Sequence, residues 1–287
     1  MAKVLAVGVA TLDLVQVVEQ YPVVDSEIRA KRQYLWRGGN ATNTLVVLNQ
    51  LGHCCSWLGT LADDLLAEII QTDLEKNNVD YSHCPKIENS ITPTSHILLT
   101  DELASRNIIH YRSLRELIAN DFKHVDFSEW EWVHFEGRNI NETLILMRFL
   151  KKSYPEIILS LEVEKPRAGI EKLFKYADHC LFSRFYAQSL GYNTAEKFLR
   201  QIKNKFSNSQ YFMCAWGQQG AMFLSKEENY THVEAAEVEA VDTRAAGDVF
   251  NAAYINARLN GEKFLQSIEQ ACDLAGKKCA QFGIDNL

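Results

Sequence analysis

Several features are scarce in this sequence, and each scarcity excludes something. Proline occurs five times in 287 residues, and no stretch is rich in Pro, Ser or Gly. That argues against flexible linkers and low-complexity tracts, and no internal repeat points to a solenoid. No run approaches the ~20 apolar residues of a membrane span. The opening MAKVLAVGVATLDLV lacks the basic-then-apolar layout of a secretion signal. The seven cysteines are odd in number and none forms a CxxC pair, so neither a disulfide framework nor a zinc site is expected. A reducing, cytoplasmic setting follows. Positive charge is outnumbered, 30 Lys and Arg against 37 Asp and Glu. Neither nucleic acid nor membrane is therefore the expected partner. Also absent are the GxxxxGK[ST] loop, a GxGxxG fingerprint after the first strand, a GxSxG elbow and an HRD/DFG pair.

What remains is a chain of globular composition, 47% hydrophobic and 23% charged. Strand-like and helix-like segments alternate. Val4–Val9, Ser56–Gly59, Trp132–Phe135, Ile157–Val163, Cys180–Ser183 and Tyr211–Trp216 read as strands. Asn40–Leu51, Asp64–Asn78, Glu142–Ser153, Thr194–Phe206 and two helices in the last ~45 residues read as helices. This alternation implies an α/β fold with a mainly parallel sheet covered on both faces. Two stretches break the rhythm. Glu27–Arg37 alternates as a strand, with Ile28, Ala30, Tyr34 and Trp36 on one side. Thr94–Thr100 and Asn107–Tyr111 form a hairpin around Asp101–Arg106. Together they suggest a small antiparallel sheet, too small to be stable alone. Its apolar side packs either on a second copy of the chain or on its own body.

Four constellations could carry chemistry. In Asp242-Thr243-Arg244-Ala245-Ala246-Gly247-Asp248, small residues open a helix whose free N–H groups suit an anionic phosphate. Asp248 in its first turn suits a base that accepts a hydroxyl proton; a tight turn with a dipole-complementing acid is the plainer alternative. In Arg37-Gly38-Gly39-Asn40-Ala41-Thr42-Asn43, Asn40 can cap the helix, and two amides at one helix mouth suit a polyhydroxyl ligand. The alternative is a Gly-Gly turn with an Asn cap. Asp13 follows the first strand, where open α/β sheets bind ligands. Trp216-Gly217-Gln218-Gln219-Gly220 is either a nucleotide contact or a hairpin turn. His134, in an apolar strand, reads as a core histidine.

In order and separation, the Gly38-Gly39-Asn40-Ala41-x-Asn43 and Asp242-Thr243-x-Ala245-Ala246-Gly247-Asp248 blocks resemble the signatures of the ribokinase (PfkB) family of sugar kinases. Further stretches resemble its ketohexokinase branch: Asp25-Ser26-Glu27-Ile28-Arg29, His134-Phe135-Glu136-Gly137-Arg138-Asn139, Glu162-Val163-Glu164-Lys165-Pro166-Arg167 and Ala275-Gly276-Lys277-Lys278-Cys279. The resemblance implies a three-layer α/β/α body at 1–13, 37–90 and 113–287. A β-sheet lid and homodimer interface would lie at 14–36 and 91–112. It implies ATP-dependent phosphorylation of a ketohexose, D-fructose to fructose 1-phosphate, with another ketose, a sugar acid, ribose or a nucleoside as alternative acceptor. A non-catalytic sensor is the remaining alternative.

By resemblance, Asp248 is the base and the amides of Ala245, Ala246, Gly247 and Asp248 form the anion hole. Arg106, at the hairpin tip, reaches over sugar and phosphate. Asp13, Gly39, Asn40, Asn43 and Glu136 hold the sugar. Trp216, Gly217, Gly220 and Cys279, with Arg106, Ala245 and Gly247, lie along the ATP. Magnesium is implied with ATP, and potassium is a further candidate cofactor. The family's N-x-x-E element is replaced by Ser183-Arg184-Phe185-Tyr186, which leaves the magnesium ligands unassigned. Ala245 stands where glycine is common, and its methyl group is expected to be tolerated through a negative φ.

Overall fold

Valine- and leucine-rich runs too short for helices become the strands of a nine-stranded sheet. In the computed structural model, which describes residues 1–100, 105–206, 211–224 and 230–287, the order is Tyr230–Val233, Ala221–Leu224, Tyr211–Ala215, His179–Ser183, Ile158–Val163, Trp132–Glu136, Lys3–Val7, Cys54–Leu58 and Val79–Asp80. Pairing is parallel from Val79–Asp80 through Tyr211–Ala215. The last two strands close the edge as an antiparallel hairpin that the alternating pattern does not announce.

Apolar side chains fill both faces. Val133, Phe135, Leu159, Leu161 and Phe182 belong to one core. Trp132, Leu45, Val249, Tyr254 and Ile268 belong to the other. The second core lies beneath the helices Asn40–Gln50, Ala246–Leu259 and Phe264–Cys279. Ala252, Ala253 and Ala257 are buried, and such small residues let neighbouring helices approach closely. His134 is fully buried; its Nδ1 lies 2.8 Å from Ser160 Oγ while its Nε2 has no partner, so it is a core histidine satisfied at one nitrogen. No helix among the described residues is long and apolar enough to cross a membrane.

Beyond Val7 the chain leaves the main sheet and re-forms as Thr11–Val18 in a second, four-stranded sheet. Its order is Arg32–Gly38, Thr11–Val18, Thr94–Thr100, Ser105–Tyr111. The outer pairs are antiparallel and the central pair is parallel. Asp13 is thus held inside a strand, in register with Trp36 and Ser95. Arg106 pairs with Leu99, so it sits in a strand; residues 101–104 of the expected hairpin turn lie outside the described residues.

The expected strand over Glu27–Arg37 is realised only from Arg32. Ile28 and Ala30 precede it and are exposed. Tyr34 and Trp36 stack on each other at 4.7 Å, and each packs against Phe282 at 5.0 Å. The Arg244 guanidinium lies 4.4 Å above the Trp36 ring. For these two aromatics the own-body reading is correct, because the chain after Cys279 folds back beneath them.

Candidate active site

The site lies at the carboxyl ends of the parallel strands, where helix N-termini and free strand ends converge. The Gly38-Gly39 pair opens it. Gly39 has φ +111°, and a Cβ there would overlap the Val9 carbonyl oxygen; a Cβ on Gly38 would overlap the Asp13 carboxylate. Two side-chain-free residues therefore let Asp13 and the start of the helix Asn40–Gln50 share one corner. Gly39 is the N-cap and no side chain caps this helix, so Asn40 does not have the capping role expected of it. Its Nδ2 instead donates to Glu162 Oε1 and Glu164 Oε2, each at 3.2 Å. Asn43, one turn on, donates from Nδ2 to Asp248 Oδ2 at 2.7 Å.

Asp248 occupies the first turn of Ala246–Leu259. That helix also has no side-chain cap, and its N-cap is Ala245 in a left-handed conformation at φ +57°. The negative φ expected of Ala245 is thus not found; the turn forces the value that favours glycine, at a cost of order 1 kcal/mol. A Cβ placed on Gly247 would meet nothing within 4 Å. The first turn thus borders open space at Gly247, and the N–H groups of a helix's first turn carry the positive end of its dipole.

Behind this turn, Asp242 accepts from Arg244 Nε at 2.8 Å and NH2 at 3.0 Å. Lys278 Nζ reaches Asp242 Oδ2 at 3.1 Å and donates to its carbonyl at 2.7 Å and to that of Gln281 at 3.3 Å. Burial alone would raise the Asp242 carboxyl, yet Arg244 and then Lys278 hold it at about 2.

Four carboxylates crowd the strand ends. Glu136 and Glu162 are cross-strand partners in parallel register, which puts them on the same face. Glu136 is occupied: Oε2 accepts from Val9 N at 3.0 Å and Oε1 from Arg138 Nε. Glu162 is 7% exposed, and its Oε2 has no partner. Burial, and then the charges of Asp248, Glu164 and Glu136, push its carboxyl well above the usual range. The Asp248 carboxyl is pushed to about 8. Burial is the main cause and Glu164 and Glu136 add to it, against the opposing Asn43 hydrogen bond and Arg37 charge. Among the described residues no three His, Cys, Asp or Glu side chains form a metal-ligand group.

Asn40, Asn43 and Asp248, together with Gly39 and the 245–248 turn, are brought together, and Glu136 joins them through Glu162. Other expected residues stand apart. Arg106 is exposed on the edge strand, on the same sheet face as Asp13 by register. Trp216 is 5% exposed in the core. Gly217 and Gly220, at φ +65° and +80°, close the hairpin to Ala221–Leu224, with the Arg184 guanidinium alongside Gly217. The Cys279 carbonyl accepts from Val241 N at 2.7 Å and Asp242 N at 3.1 Å, stitching the last helix to the entry of the anion turn. Sequence reasoning did not single out Glu162, Glu164 or Arg37 for the site. Polar Ser160 and Glu162 alternating with Leu159, Leu161 and Val163 were the available signal.

Residues 1–286 match the pfkB family of carbohydrate kinases. Ketohexokinase of Mus musculus is 33% identical over 293 aligned residues, covering 99% of this chain and 98% of that protein. Fructosamine kinase FrlD of Bacillus subtilis (strain 168) is 25% identical, covering 88% of this chain and 87% of its own. Arabidopsis thaliana ribokinase, solved with ribose and ATP, superposes with a TM-score of 0.80 at 18% identity, covering 98% and 94% of the two chains. Ribokinase from Giardia lamblia gives 0.83 at 15% identity, covering 99% and 96%. With its open helix N-terminus, first-turn carboxylate and paired asparagines, this chain belongs to the pfkB family of carbohydrate kinases.

Proposed function

We propose that this carbohydrate kinase is an ATP-dependent ketohexokinase of the cytoplasm that converts D-fructose to fructose 1-phosphate. The observation that carries the reading is Asp248. It is hydrogen-bonded by Asn43 at the mouth of an uncapped helix, beside open space over Gly247. The identity to mouse ketohexokinase supports the choice of sugar.

In the reaction, the sugar hydroxyl oxygen attacks the γ-phosphorus, and the bond from that phosphorus to the β–γ bridging oxygen breaks. ADP leaves, and the hydroxyl proton passes to an Asp248 carboxylate oxygen. An Asp248 carboxyl that prefers its proton is a strong enough base to take one near neutral pH. The Ala246, Gly247 and Asp248 amides are aimed where charge gathers on the transferred group. Asn40 spends both amide hydrogens on Glu162 and Glu164, so its carbonyl oxygen is left to accept a sugar hydroxyl. Asp13 accepts others, and Arg106 approaches from the sheet face that Asp13 shares.

Magnesium fits the bare Glu162 oxygen, since it usually takes one or two carboxylates and completes its shell with phosphates and water. Glu162, with Glu164, would hold it, and when bound it neutralises phosphate charge. Potassium is not given a place: an oxygen pocket beside the anion turn, formed by the Asp242 and Gln281 carbonyls, is already filled by the Lys278 ammonium. A homodimer through the small sheet is supported by Leu35, Ile108, Ile109 and Tyr111, which remain 42–69% exposed there.

The deciding experiment is an ADP-release assay across ketoses, aldoses, sugar acids, nucleosides and fructosamines, with NMR of the product. Fructose is expected to be preferred, with phosphate on C1. Preference for another acceptor would replace the sugar, and ligand binding without ADP release would refute the kinase reading.

A further inference from the structure

We propose that Arg37 is a positioning residue for phosphotransfer: a continuous chain of hydrogen bonds, Asp73–Arg37–Asn43–Asp248, fixes the Asn43 amide so that its NH2 group always faces the base. This inference rests on the reading of Asp248 as that base. The links are all short. Arg37 Nε lies 2.5 Å from Asp73 Oδ2. Arg37 NH1 donates to Asn43 Oδ1 and to Thr42 Oγ1, each at 2.8 Å. Asn43 Nδ2 then donates to Asp248 Oδ2 at 2.7 Å. The Arg37 side chain is 3% exposed, whereas Asp73, on the helix Leu65–Lys76, is 35% exposed. A surface carboxylate is thus wired through a buried cation to the catalytic carboxylate.

The chemistry of the two ends admits only one orientation of the middle residue. A guanidinium donates and never accepts, so the Arg37 end fixes the amide at any pH, and the Asp248 end enforces the same orientation once its carboxyl is ionised and can only accept. Flipping the Asn43 amide would set NH2 against guanidinium and carbonyl against carboxylate, losing both bonds. Arg37 itself is held by its fork, which engages Asp73 with Nε while NH1 serves Thr42 and Asn43. Lysine offers one compact ammonium and cannot span those partners. Arg37 is also the penultimate residue of the strand Arg32–Gly38, so the small sheet is tied to the base by a side chain as well as by the backbone.

The groups around Asp248 show why such a device is needed. From the strand Trp132–Glu136 comes Glu136, and from Ile158–Val163 and the residue beyond come Glu162 and Glu164. From the helix Asn40–Gln50 come the Asn43 donor and Thr44, whose hydroxyl donates to the Asp248 carbonyl at 3.3 Å. Against three carboxylates stand the Asn43 hydrogen bond and the Arg37 charge, both of which favour the ionised base.

The test compares the parent with Arg37→Lys and Asp73→Asn, the latter at a half-exposed position where folding is not at stake. Asp73→Asn, which removes a negative charge from beside the guanidinium, is expected to move the acid limb of kcat/KM against pH slightly down, whereas Arg37→Lys, which loses the bond to Asn43, is expected to move it up by about half to one pH unit. The upward move lowers kcat/KM several-fold at pH 7 and restores it at pH 9, with KM for ATP unmoved. The Asp248 carboxyl is followed in parallel by 13C NMR of Asp-labelled protein, assigned by its loss in Asp248→Asn. This readout needs no turnover. An upward-shifted Asp248 titration in folded Arg37→Lys supports the chain of bonds even if the parent phosphorylates no sugar, which would sink only the kinase reading. An unmoved titration and acid limb in Arg37→Lys overturns the role of Arg37.

Discussion

Replacing Asp248 by Asn should make the protein more stable as well as inactive. The folded-state carboxyl stands at about 8 against an ordinary 3.8, a rise of about four units. At about 1.4 kcal/mol per unit this corresponds to ~6 kcal/mol. The sign is that of a carboxylate raised by folding. Between these two values the unfolded chain has released the proton while the folded chain keeps it. Stability therefore falls as pH rises from about 4 and levels off above about 8. Asn cannot ionise and accepts from Asn43 equally well, so it removes this loss. Rearrangement of Glu162 and Glu164 around the charge shares the repulsion, and an observable gain of ~2–6 kcal/mol at pH 8.5 is expected, large against a typical domain stability of roughly 5–15 kcal/mol. Urea denaturation of parent and variant from pH 5 to 9 measures it. The gap should be smallest at pH 5, at most about 1.6 kcal/mol by the same arithmetic, and widen up to about pH 8, while turnover falls by about 10²–10⁴ and ATP still binds. Equal stabilities at pH 8.5, or a variant less stable there than the parent, would refute the reasoning.

Two further outcomes follow from the geometry. Ala245→Gly relieves the left-handed strain at φ +57° and should raise stability by about 1 kcal/mol in urea melts; a loss would mean that the turn is not strained. The exposed Leu35, Ile108, Ile109 and Tyr111 should be covered in solution, so sedimentation at micromolar concentration should give a species of twice the chain mass. A Tyr111→Glu variant should shift it toward the monomer, and a monomeric parent would remove the dimer.

The main sheet was legible in the sequence because its strands are buried on both faces and read as unbroken apolar runs. The two signature blocks were legible because Gly38-Gly39 and Ala245-Ala246-Gly247 are tolerated at those positions only for backbone reasons. What was not legible depends on contacts across the sequence. Tyr34 and Trp36 alternate as an exposed strand face would, and only the fold shows Phe282 beneath them. Asn40 looks like a helix cap, and only the register of Glu136 with Glu162 reveals why its amide turns away. The sign of φ at Ala245 could not be read from residue type, because the turn that imposes it is closed by Asp242, Arg244 and Lys278 together. Arg37 reads as the last residue of an alternating strand, on its polar side, and only the fold shows that it is almost fully buried.

The packing of Phe282 against Tyr34 and Trp36, with Arg244 above Trp36, has a practical consequence. The last residues act as a wedge beneath the small sheet, tied to the entry of the anion turn by Gly283 N, which donates to Asp242 Oδ2 at 3.2 Å. Leu287 N also donates to Gln50 Oε1 at 3.1 Å. Trimming these last residues would therefore loosen a corner of the candidate site. Fusion partners and surface anchors belong at Met1, which is 96% exposed.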